Sequence, residues 1–167
     1  MKHGKRLITG TSNGEILEWN TNNKFAFQQS NSVHSKKTVK AITLTNFEQF
    51  IVSGDKEGKI VYSDVKCAQK NHFQAHNKSS INDISFSNSS VKFVSCADDS
   101  TAKIFDFATS MQELEFSDHR SDVKSCDWHP VESLILTGSK DNLVKIWDPR
   151  TGGKGVHTIA AHNNTIS

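Results

Sequence analysis

The hydrophobic pattern of Leu134–Asp148, LILTGSKDNLVKIWD, restricts this chain more than any other feature. An apolar run enters a Thr-Gly-Ser corner, crosses a Lys-Asp-Asn tip, and returns through a second apolar run that ends in Trp-Asp. Two short strands joined by a tight polar turn give this pattern. It occurs three more times upstream, as LITGTSNGEILEWN from Leu7, IVSGDKEGKIVYSD from Ile51 and FVSCADDSTAKIFD from Phe93. The closing dipeptides Trp19-Asn20, Ser63-Asp64, Phe105-Asp106 and Trp147-Asp148 are spaced by 44, 42 and 42 residues. A histidine recurs before each new unit, at His34, His76, His119 and His162, with spacings of 42, 43 and 43. A Ser or Thr recurs ten residues before each dipeptide, at Thr9, Ser53, Ser95 and Thr137. Three markers sharing one period identify an internal repeat.

A period of ~40–45 residues with an early histidine and a late Trp-Asp resembles the WD-repeat family, whose units are four-stranded propeller blades. The resemblance implies an all-β fold, and each full unit divides into four strands. The first carries apolar residues at fixed offsets: Val39, Ile42 and Leu44, then Ile81, Ile84 and Phe86, then Val123, Cys126 and Trp128. Its second and third strands are the hairpin, and the fourth is short, at residues 24–28, 69–73, 112–116 and 156–160. The expected units are a partial repeat one at 5–28, repeats two to four at 34–73, 76–116 and 119–160, and the start of repeat five at 162–167. About three and a half blades of a larger, seven-bladed propeller are thus expected in a single domain. Such a chain reads as a fragment or a truncated gene product whose end blades expose their faces.

Composition excludes several functional classes. A net charge of +2 from 20 basic and 18 acidic residues predicts no nucleic-acid partner unless lysines gather on one face. Lys2, Lys5, Arg6, Lys36, Lys37 and Lys40 offer such a surface, although dispersed lysines are most simply solvated. Three cysteines without a CxxC pair suit a reducing compartment and no disulfide framework. No apolar run approaches 18 residues, so no membrane partner is expected. Cys126 and His129 are the only close pair of zinc-ligand types, and Cys126 falls at a core offset, so neither a metal nor a cofactor is expected. Thr151–Gly155 lacks the glycine placement of a phosphate loop and reads as a turn between strands.

The recurring His, Ser/Thr and acid invite a nucleophilic reading. A catalytic set, however, occurs once per active site and not once every 42 residues. The expected role is a structural polar network: His34, Ser53 and Glu57 in repeat two, His76, Ser95 and Asp99 in repeat three, and His119, Thr137, Asp141 and Trp147 in repeat four. Buried polar groups must find partners, and a fully paired network specifies one arrangement.

Beyond the scaffold residues, Gly4–Asn20, Phe73–His76, Phe93–Phe107 and Asp122–Gly152 resemble the WD-repeat subunits of the eukaryotic pre-mRNA cleavage and polyadenylation factor. The run Asp122–Pro130 is the most distinctive, because it includes surface positions that the fold does not dictate. The resemblance implies a non-catalytic, nuclear scaffold in mRNA 3′-end processing. Its implied partners are a large propeller subunit and a CCCH zinc-finger subunit, with the AAUAAA signal of pre-mRNA read in animals. Phe27 occupies the place where the animal subunit stacks an aromatic ring on bases of that signal. The alternative for Phe27 is packing between blades. The basic N-terminal segment that precedes the propeller in the resembling family is not found before Met1 here. The alternative function is a WD-repeat adaptor of another kind, such as a ubiquitin-ligase substrate receptor or a signalling propeller.

Overall fold

The computed structural model describes residues 6–46, 49–66 and 68–160, so the expected start of repeat five, with His162, lies outside the described residues. The strands run in chain order as antiparallel meanders. Blade 1 contributes β1 (Arg6–Gly10), β2 (Glu15–Asn20) and β3 (Ala26–Ser32). Blade 2 is β4 (Val39–Leu44), β5 (Phe50–Asp55), β6 (Lys59–Asp64) and β7 (Gln69–Gln74). Blade 3 is β8 (Ile81–Phe86), β9 (Lys92–Ala97), β10 (Ala102–Asp106) and β11 (Gln112–Phe116). Blade 4 is β12 (Val123–Trp128), β13 (Ile135–Ser139), β14 (Val144–Trp147) and β15 (Gly155–Ile159). This is the four-stranded unit of a β-propeller, and the chain forms part of one.

The hairpin turns form because their chemistry allows a left-handed residue at one fixed place. Gly14 (φ +81°), Gly58 (φ +83°), Ser100 (φ +65°) and Asn142 (φ +69°) stand at equivalent positions of the four turns. Glycine is indispensable at 58, because a Cβ there would lie 1.8 Å from the carbonyl oxygen of His76. That close approach is useful: the Gly58 carbonyl accepts the backbone N–H groups of Ala75 and His76, as the Gly14 carbonyl accepts those of Val33 and His34.

Successive side chains on a strand point to opposite faces, so each blade serves two neighbours. Ile51 and Val61 of blade 2 meet Ile16 and Val33 of blade 1. Val52, Ile60 and Tyr62 turn the other way, onto Ile81, Ile84, Phe93 and Phe105 of blade 3. Val94, Cys96 and Ile104 of blade 3 meet Val123, Cys126, Ile135 and Trp147 of blade 4. Both faces of the inner strands are therefore apolar, which is why these segments read as mixed runs and not as clean alternation. Each such side chain contributes roughly 1.5–3 kcal/mol of burial.

Repeat one departs from the expected pattern at its fourth strand. Asn20 Oδ1 accepts the Asn22 N–H at 2.9 Å and starts a one-turn 3-10 helix, Thr21–Asn23. Lys24 and Phe25 follow in left-handed conformations, so β3 begins at Ala26 and runs to Ser32 instead of stopping at residue 28.

The first strand of blades 2 to 4 carries a β-bulge at its second residue: Lys40, Asn82 and Lys124 have no cross-strand partner in the register. A bulge re-aims the extra side chain. Adjacent first strands are also latched to each other. Ser85 Oγ donates to Asp127 Oδ1 at 2.8 Å and accepts the Trp128 N–H at 3.2 Å, while Asp83 Oδ2 accepts the Cys126 N–H at 3.1 Å.

Candidate functional site

The histidines leave the link between one blade and the next, with the ring directed into the following blade. In blade 4, His119 contacts Asp141 Oδ2 through Nδ1 at 2.9 Å and Thr137 Oγ1 through Nε2 at 2.7 Å. Trp147 Nε1–H donates to the same Thr137 oxygen at 2.8 Å. The donors run in one direction, from indole N–H to threonine and from threonine O–H to the ring, so every group of this chain has a partner. In blade 3, His76 contacts Asp99 Oδ2 at 2.8 Å and Ser95 Oγ at 2.9 Å. Phe105 stands at the tryptophan place and donates nothing, but Thr101 Oγ1 adds a hydrogen bond to Asp99 Oδ1 at 2.7 Å.

Blade 2 corrects the sequence expectation. The carboxylate facing His34 is that of Asp55, at 3.0 Å from Nδ1, with Ser53 Oγ at 2.8 Å from Nε2. Glu57, expected in this role from its offset to Ser53, instead forms an ion pair with Lys37 at the surface. The Asp55 and Glu57 side chains are 2% and 48% exposed, respectively. The shorter Asp55 sits at the strand end, close enough to face the ring with Oδ2. Its Oδ1 accepts the backbone N–H groups of Glu57 and Lys59 at 2.8 and 3.0 Å, closing the turn. One residue thus serves both the ring and the turn, and Glu57 is released. At the tryptophan place, the Ser63 hydroxyl is buried without a hydrogen-bond partner among the described residues. In blade 1, Trp19 Nε1–H donates to Thr9 Oγ1 at 3.0 Å.

Burial raises the carboxyl pKa of Asp55, but hydrogen bonds from His34 and from the backbone of Lys59 and Glu57 more than offset it, leaving the group below its ordinary value. Asp99 behaves alike, with burial opposed by His76 and Thr101, and so does Asp141, with burial opposed by the Arg120 N–H, His119 and the Leu143 N–H.

Each Ser/Thr–His–Asp set has the connectivity of nucleophilic machinery. The hydroxyls of Ser53, Ser95 and Thr137 nevertheless belong to residues with no exposed surface, so no substrate carbonyl can approach them. Their chemistry is scaffolding. The backbone N–H of His34 is held by blade 1 and its ring by blade 2; that of His76 is held by blade 2 and its ring by blade 3. These histidines therefore rivet neighbouring blades, a role that offsets within a single repeat do not reveal.

The other candidates separate in space. Cys126 is buried with its thiol toward the Val94 carbonyl, and burial together with the Cys96 thiol pushes its pKa well up. His129 is exposed, and its Nδ1 accepts the N–H of Glu132 at 2.8 Å, so the two do not converge on a metal. Thr151–Gly155 closes the β14–β15 connection after a one-turn 3-10 helix at Pro149–Thr151. Phe27 lies on β3 opposite Trp19, with ring centroids 5.7 Å apart in an edge-on contact. It is 55% exposed, and neighbouring Phe25 is 61% exposed, at the end of blade 1 away from the hairpin turn.

Comparison with known proteins places these residues in context. Residues 66–106 and 110–148 match the WD domain, G-beta repeat. The chain is 39% identical over 164 residues, 98% of its length, to "Polyadenylation factor subunit 2" of Neurospora crassa, covering 24% of that protein. It is 38% identical over 166 residues to the protein of the same name in Gibberella zeae, again over 98% of this chain and covering 26% of that protein. With the Cryptococcus neoformans protein of that name it is 37% identical over 120 residues, 72% of this chain and 16% of the relative. The chain thus spans about a quarter of the length of the first two of these curated relatives.

Proposed function

Because this chain belongs to the WD-repeat family, as a relative of the polyadenylation factor subunits, we propose that it acts in the nucleus as a non-catalytic scaffold of mRNA 3′-end processing. The observation that carries this reading is the alignment, over 98% of this chain, with proteins named polyadenylation factor subunit 2, which extends over surface as well as scaffold positions. The buried state of the three Ser/Thr–His–Asp sets supports the non-catalytic part, since the hydroxyls of these sets are taken up by structure. The partners of this scaffold are other subunits of the cleavage and polyadenylation factor, a large propeller subunit and a CCCH zinc-finger subunit.

Within that role Phe27 stacks on a base of the AAUAAA signal. Its exposure and edge-on support by Trp19 favour this, and a base stacked on an aromatic ring gains about 1–3 kcal/mol. Affinity purification of the full-length gene product tests the assignment. Polyadenylation-factor subunits are expected to co-purify; recovery of cullin adaptors in their place overturns it in favour of a ubiquitin-ligase receptor. For the RNA contact, binding of AAUAAA is compared with a scrambled hexamer in wild type and Phe27→Ala. Loss of discrimination in the variant is expected, and equal discrimination in both removes Phe27 from the site.

A further inference from the structure

The end of the blades that carries the hairpin turns and the histidines is charged unevenly. Over blade 2 it presents Lys36 in the link from blade 1, Lys40 at the β4 bulge, Lys56 in the β5–β6 turn and Lys78 in the link to blade 3. All four are exposed, and none has an ion-pair partner among the described residues. Backbone hydrogen bonds hold these loops side by side. The Lys56 N–H donates to the Thr38 carbonyl, and the Gln74 side chain bridges the carbonyls of Glu57 and His76. The nearby carboxylates are occupied: Asp55 is buried on His34, and Glu57 is neutralised by Lys37. Glu15, at the start of β2, is the remaining acid on the blade 1 side.

The equivalent positions of blade 4 behave differently. Lys124, at the same bulge as Lys40, is bound by Asp98 and Asp122, and Lys140, at the same turn position as Lys56, is bound by Asp122. At these two positions, then, the lysines of blade 2 are unpaired and those of blade 4 are paired. Lys36 and Lys78 stand two residues after their histidines in consecutive links, both in left-handed conformations (φ +66° and +52°) where glycine or asparagine is less strained. The same residue type at the same strained place in two links marks a side chain held there for its charge.

We propose that this face of blade 2 binds the phosphodiester backbone of single-stranded RNA without reading its sequence; that the polyanion is RNA rests on the role in mRNA processing argued above. Lysines act as point charges suited to a linear polyanion, and these loops carry neither an arginine fork nor an aromatic ring to read bases. The face lies at the opposite end of the blades from Phe27, so the strand is held apart from the place where bases stack.

The test is fluorescence anisotropy of the full chain with an oligouridylate of about 20 nucleotides, titrated at several salt concentrations. Four neutralised phosphates predict a slope of log K against log salt of about −3 for single strands. Replacing Lys36, Lys40, Lys56 and Lys78 together by Gln is expected to remove most of that slope and to weaken binding more than tenfold at low salt. Lys124→Gln, whose charge is already paired, is expected to leave the slope unchanged. Phe27→Ala is expected to abolish AAUAAA preference yet keep oligouridylate binding, and the lysine variant the reverse. An unchanged slope in the lysine variant overturns the proposal even where polyadenylation-factor subunits co-purify. Competition by polyglutamate as effective as by polyuridylate overturns it in favour of an acidic protein segment.

Discussion

Blade 4 joins Trp147, Thr137, His119 and Asp141 in one chain of hydrogen bonds, whereas blade 2 has Ser63 at the tryptophan place and draws its carboxylate from Asp55, two residues earlier than the offset in blades 3 and 4. The difference teaches that what recurs from blade to blade is the pairing of the ring, not the position of the acid. His34 and His119 are both buried and both bonded at each nitrogen, with the partners supplied from different points of the turn. It also links scaffold to surface. Moving the acid inward to Asp55 leaves Glu57 outside to pair with Lys37 and the other lysines of that face uncompensated, while blade 4 keeps its lysines bound to aspartates.

The largest expected effect falls on the side of the comparison with the full network. Trp147→Ala removes a fully buried ring stacked on Phe116 and the donor to Thr137, and is expected to cost about 3–5 kcal/mol in urea unfolding. A loss under about 1 kcal/mol breaks the view that this blade depends on its tryptophan.

Next comes the identity of the acid in blade 2. Asp55→Ala leaves the ring and two backbone N–H groups unpaired and is expected to lose roughly 2–4 kcal/mol. Glu57→Ala, with its exposed ion pair, is expected to stay within about 0.5 kcal/mol. Equal losses in the two variants restore the assignment made from the offset.

A smaller effect is expected with acid. The carboxyls of Asp55, Asp99 and Asp141 are each held below the ordinary 3.8, so the stability they contribute is present above that value and is lost as pH falls through their folded values. Urea midpoints should decline below about pH 4, and the decline should be shallower in Asp141→Asn than in wild type. Parallel curves contradict a depressed Asp141.

The smallest effect has the opposite sign. Ser63→Ala removes a buried hydroxyl that has no partner among the described residues and is expected to stabilise by up to about 1 kcal/mol. A destabilised variant shows that the hydroxyl is bonded in solution.

Much of the fold was legible because a blade is a local object. Its strands are consecutive, its turns announce themselves through Gly14, Gly58 and Asn142, and the offsets of Val123, Cys126 and Trp128 delimit β12 to the residue. The end of repeat one was not legible, because the side chain of Asn20 and two left-handed residues shift the start of β3. Asp55 was missed because it reads as the last residue of a strand, and nothing in an offset tells which of two nearby carboxylates a turn folds inward. A signal existed: Ser53 is followed two residues later by Asp here, and by Ala97 and Ser139 at the equivalent places.

The sequence by itself determined the repeat, its strands and turns and the family, since these rest on periodicity and on chemistry between near neighbours. Tertiary structure alone decided which charges are free. Arg6 and Lys36 lie in one basic list in the sequence, yet Arg6 is bound to the buried Glu18 at one end of its blade and Lys36 is unpaired at the other, beside Lys56 and Lys78. A field on a surface is a sum over residues brought together from distant parts of the chain, and it exists only once the blades have packed.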